Sequence, residues 1–71
     1  MQEQRLSSWR NPKLDETASI WEVSYRYGNL ESVKYQIVFS IYEDPDDTAP
    51  VYNSISSAER TLRTAGYEKI S

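Results

Sequence analysis

Residues 19–42 read SIWEVSYRYGNLESVKYQIVFSIY, and their alternation decides the fold. Trp21, Val23, Tyr25 and Tyr27 are interleaved with Glu22, Ser24 and Arg26, the period of two that marks a half-buried strand. Gly28-Asn29 interrupts the pattern. It resumes with Val33, Tyr35, Ile37, Phe39 and Ile41, set between Lys34, Gln36, Val38 and Ser40. The two runs predict an antiparallel hairpin over about 19–27 and 31–42.

The numbering constrains the turn. Both apolar sets are odd, so a two-residue loop pairing Tyr27 with Leu30 sends them to opposite faces. A three-residue loop of Gly28, Asn29 and Leu30 pairs Tyr27 with Glu31. It also sets Tyr25 against Val33 and Trp21 against Ile37, which gathers the rings on one side. The expectation is therefore the longer loop or a glycine bulge, with Gly28 or Asn29 at positive φ. In that register Arg26 and Lys34 share the outer face, and Glu22 lies diagonal to Lys34.

Beyond the hairpin, Glu43-Asp44-Pro45-Asp46-Asp47 forms an acidic stretch closed by Pro50. Val51–Ile55 has the residues for a short third strand. Ser56 stands three residues before Glu59, the spacing of a capping box. Ala58, Leu62 and Ala65 then place a narrow apolar stripe on a helix over about 56–65, with Arg60 and Arg63 facing away. Glu59 and Arg63 are an i,i+4 pair. Gly66 supplies a left-handed stop, Tyr67 folds back on the last turn, and 67–70 has room for a short terminal strand. Residues 1–18, with a turn-rich Ser7-Ser8-Trp9-Arg10-Asn11-Pro12, read as an irregular segment held by Trp9. The expected fold is α+β: a single ββ(β)α domain over 19–71, an antiparallel meander of two to three strands packed on one helix.

Composition narrows the chemistry. The chain has 71 residues and neither Cys nor His, so disulfides, thiolate chemistry and the commonest general base are missing. With two glycines there is no glycine-rich phosphate loop. The four carboxylates of Glu43, Asp44, Asp46 and Asp47 lack the glycine and closing Glu of a calcium loop, so no metal or other cofactor is expected. A domain this small offers little cleft for paired acid–base carboxylates. The expectation is no enzyme.

A net charge of −3 disfavours a dedicated nucleic-acid binder and docking on an anionic membrane. No apolar run approaches a membrane span, so the expected location is the cytoplasm. What remains is an aromatic content of 13%, high for a chain that is 38% apolar. Tyr and Trp are enriched at protein interfaces. The leading expectation is a non-catalytic module with a protein partner, acting as an accessory, regulatory or inhibitory factor. Its candidate interface residues are Tyr42, Tyr52, Trp9 and Tyr27, with Glu43, Asp44, Asp46 and Asp47 covering a basic nucleic-acid-binding surface on that partner. The alternative is direct nucleic-acid binding by the hairpin face, through Arg26, Lys34, Arg60 and Arg63, with tyrosines stacking on bases. Self-association through sheet edges is a third option.

Overall fold

A computed structural model describes residues 2–39 and 50–71. Three long strands, β1 (Gln2–Asn11), β2 (Glu16–Tyr27) and β3 (Leu30–Phe39), form an antiparallel meander. Two-residue strands guard its flanks: β4 (Val51–Tyr52) along β3, and β5 (Glu68–Lys69) along β1. The resulting five-stranded sheet has the order β4-β3-β2-β1-β5 and curls into a half-barrel. One helix, α1 (Ile55–Thr64), lies between β4 and β5 in the chain. The α+β class holds, with more strands than the sequence pattern indicated.

The largest difference is at the N-terminus, where a strand replaces the expected irregular segment. Ser7, Trp9 and Asn11 are buried at alternate positions of β1. Two of these inward residues are polar, which hides the alternation. Their burial is compensated by hydrogen bonds: Trp9 Nε1 donates to Ser7 Oγ at 2.8 Å, and Asn11 Nδ2 donates to the Ala65 carbonyl at 3.1 Å. A bulge at Leu6 further breaks the period, because Arg5 pairs with Trp21 while Ser7 pairs with Ile20. Residues on either side of it that share parity therefore point to opposite faces.

The β2–β3 turn also differs. Tyr27 pairs with Leu30, so the loop is the two residues Gly28-Asn29. Gly28 has φ +59° at the first central position, where a type II′ hairpin takes Gly. The consequence is the one the numbering dictates: the odd residues of β2 and β3 lie on opposite faces. Tyr35, Ile37 and Phe39 face the helix beside Ala18 and Ile20, whereas Trp21, Val23, Tyr25 and Tyr27 lie on the other face, where Val23 is buried and Tyr27 exposed.

The core lies between the helix and one half of the sheet. Trp9, Ala18, Ile20, Ile37, Ala58, Leu62 and Tyr67 are buried together, with Tyr35, Phe39 and Tyr52 partly buried against them. Ser54, not Ser56, caps α1: its hydroxyl accepts from the Ser57 backbone N–H at 3.2 Å. Glu59 is free of capping and lies 4.0 Å from both Arg63 and Lys69. The helix stops as expected. Gly66 takes φ +95°, its N–H reaches the Arg63 carbonyl at 3.0 Å, and the Tyr67 N–H reaches that of Leu62 at 2.9 Å. The backbone then runs back along β1, with Ile70 N donating to the Ser8 carbonyl at 2.8 Å.

Candidate functional site

The acidic stretch Glu43, Asp44, Asp46 and Asp47, together with Tyr42, lies outside the described residues. The other candidates separate. Trp9 is fully buried, with the Arg63 guanidinium 5.2 Å above its ring, so it belongs to the core and not to a contact surface. Tyr52 is half-buried beside Tyr35 and packs on the same core. Of the four aromatic candidates, Tyr27 alone is both described and largely exposed, at 69%.

The basic candidates do not share a surface. Arg26 pairs with Glu31 on the helix-side face of β2, while Lys34 sits opposite Val23 on the outer face. The two-residue turn separates them, since it reverses the face assignment of one strand relative to the other. For the same reason Glu22 lies opposite Tyr35, away from Lys34. Lys34 Nζ donates to Asn53 Oδ1, at 2.6 Å. Arg60 and Arg63 are on the helix, and Arg63 is engaged by Trp9 and Glu59.

What the structure does assemble is a stripe along the outer face of β2. Trp21, Val23, Tyr25 and Tyr27 follow one another at every second position. Tyr25 and Tyr27 stack with ring centroids 6.5 Å apart and planes 10° from parallel. Leu30 stands across from Tyr27 and is 74% exposed. Cross-strand neighbours add Arg5 beside Trp21, Glu3 and Lys34 beside Val23, and Ser32 beside Tyr25. Val51 extends the face across β4 from Gln36. At the other end, Arg5, Ser8, Thr17, Trp21, Val38 and Ile70 line a groove of about 420 Å³.

The Trp21 indole is already anchored there, because its N–H donates to Ser19 Oγ at 2.9 Å. Ser-x-Trp thus occurs twice, once inward at Ser7–Trp9 and once outward at Ser19–Trp21, with the indole bonded the same way. The stripe was readable as an alternating run. Its outward orientation depended on a loop length that the sequence leaves open.

Other chemistry is sparse. Tyr67 donates to Glu16 Oε2 at 3.0 Å, and its phenol is pushed above the usual value by burial first, then by this hydrogen bond and the Glu16 charge. Among the described residues, no three acidic side chains gather to hold a metal ion, and no helix is long and apolar enough to cross a membrane. No protein-family model matches the chain, and no curated protein or solved structure is similar enough to count as a match.

Proposed function

We propose that this protein is a non-catalytic module that binds a protein partner through the outer face of its sheet. The observation that carries the proposal is the exposed pair Tyr27–Leu30, which ends a row of Trp21, buried Val23 and Tyr25 on the face away from the helix. Adjoining exposed apolar groups on one face are the usual mark of a contact surface, and tyrosine brings both area and a hydroxyl to it. A protein partner fits better than nucleic acid. The basic side chains are spread over three surfaces, Glu3 lies within the stripe's flank, and the net charge is −3.

In this reading the acidic segment with Asp44, Asp46 and Asp47 steers the encounter with a basic region of the partner. An accessory or inhibitory role follows naturally for a module whose only instrument is its surface. The test is affinity capture from native lysate, with and without nuclease, using wild type and the double variant Tyr27→Ser/Leu30→Ser. A stoichiometric protein that survives nuclease and is lost from the variant supports the proposal. Capture that disappears with nuclease replaces it with nucleic-acid binding, in which the stacked Tyr25 and Tyr27 receive bases.

A further inference from the structure

The exposed pair Tyr27–Leu30 lies at a corner of the sheet where the backbone is open as well. Strand β4 pairs with β3 only at Tyr35 and Gln36, so no described strand lies along the far edge of residues 30–34. Such an edge offers a row of N–H and C=O groups that another strand can take up. Leu30, Glu31 and Val33 are exposed along it. The unbroken register with β2 puts Leu30 on the face away from the helix, and Glu31 and Val33 on the helix side. The ion pairs among the described residues are Arg10–Asp15, Arg63–Glu59 and Lys69–Glu59, and they leave Glu31 out. Lys34 is held by Asn53. The other free edge, at residues 2–6 of β1, carries the Leu6 bulge and the charges of Glu3 and Arg5, devices that keep strands off an edge.

We infer that the partner enters as an extended segment, which adds an antiparallel strand to β3 over residues 30–33, in line with β4. Its backbone supplies the ladder, and its side chains supply the selection. Running opposite to β3, the segment reads apolar, any residue, basic, apolar. Its first side chain meets Val33 and its basic one meets Glu31, both on the helix side, as a spacing of two requires. The last apolar side chain lies beside Leu30 and extends the exposed surface begun by Tyr27 on the other face. The inference rests on the protein-binding proposal and names the form in which the partner reaches the same corner.

The probe is the peptide Ac-Val-Thr-Lys-Val-NH2, compared with its counterpart bearing Glu in place of Lys. The readout is the set of β3 backbone amide signals in ¹⁵N-labelled protein, with those of α1 as internal control. The expected result is saturable shifts at residues 30–34 and affinity about fivefold lower for the Glu peptide. Glu31→Lys should reverse that preference; Glu31 is exposed, so the change leaves the core alone. Two further peptides, N-methylated at alternate residues, test the ladder. The one whose methyl groups face β3 should bind about tenfold more weakly, and the other should bind as the parent does. Silent β3 signals at millimolar peptide, equal affinity for the Lys and Glu peptides, or equal loss in both methylated ones overturns the inference. So does concentration-dependent dimerisation through these same amides, which would give the edge to a second copy of the chain. If the peptide fails while capture dependent on Tyr27 and Leu30 persists, the edge assignment alone is wrong. Loss of that capture removes the broader proposal instead.

Discussion

Asn11 joins the β1–β2 turn to the end of the helix: its amide donates to the Ala65 carbonyl while its Oδ1 accepts the Lys13 and Leu14 backbone N–H groups. One buried side chain therefore satisfies three backbone groups from two distant segments. Asn11→Ala leaves them without partners and is expected to cost about 1–3 kcal/mol. Urea denaturation checks this as a lowered midpoint at unchanged slope. A loss below about 0.5 kcal/mol would show that water replaces the amide.

The two glycines separate backbone strain from crowding. A Cβ on Gly28 meets nothing within 4 Å, so Gly28→Ala carries only the left-handed penalty of about 1–2 kcal/mol. At Gly66 the φ of +95° lies beyond the left-handed helical well, and a Cβ comes to 3.4 Å from Asn11 Nδ2. Gly66→Ala should be the more damaging of the two in a thermal melt. The reverse order would contradict the role given to Asn11.

Tyr67 sets an alkaline limit. Its pKa is raised in the folded protein, so the native state holds the phenol proton more tightly than the unfolded chain does. The stabilisation is complete below the ordinary tyrosine pKa of about 10 and declines as pH rises from there through the folded value. Wild-type melting temperature should accordingly fall faster above pH 10 than that of Tyr67→Phe. Near neutrality, Tyr67→Phe should cost about 0.5–1.5 kcal/mol for the lost bond to Glu16. Parallel melting profiles for the two proteins would remove this role.

The exposed end of the outer face should tolerate change without loss of stability. Tyr27 and Leu30 are exposed and lie outside the buried cluster, so Tyr27→Ser/Leu30→Ser is expected to stay within about 0.5 kcal/mol of wild type per substitution. By contrast, Trp9→Ala empties the centre of the core and should cost about 3–5 kcal/mol, enough to unfold much of a domain this small. Circular dichroism melts distinguish the two outcomes directly.

How much of this was legible in the sequence depended on which groups carried the signal. The hairpin, the Gly66 stop and the return of Tyr67 were readable because each has a local cause. The register was not. Collecting all the rings on one side favoured a three-residue loop, yet the helix is too short to cover so many, and the sheet distributes them over both faces. Strand β1 was hidden because Ser7 and Asn11 face inward and the Leu6 bulge resets the alternation. Arg26 and Lys34 were misassigned to one surface by that same register. The outer stripe was visible as a pattern, but its place on the face away from the helix emerges only once the helix is placed.

The pairing of β5 with β1 has a consequence for how the chain comes to be folded. Trp9 lies opposite Lys69, and its indole is enclosed by groups as late as Leu62 and Tyr67. During synthesis the meander can zip up early through its two local turns, but it does so with a bare indole on its inner side. That side closes only after the helix and the last strand have left the ribosome. The step that seals the core is therefore the most non-local contact in the molecule, and it should set the folding rate. Until then, the nascent chain shows an aromatic surface on both sides of its sheet, and it is in this interval that it is most exposed to misassembly.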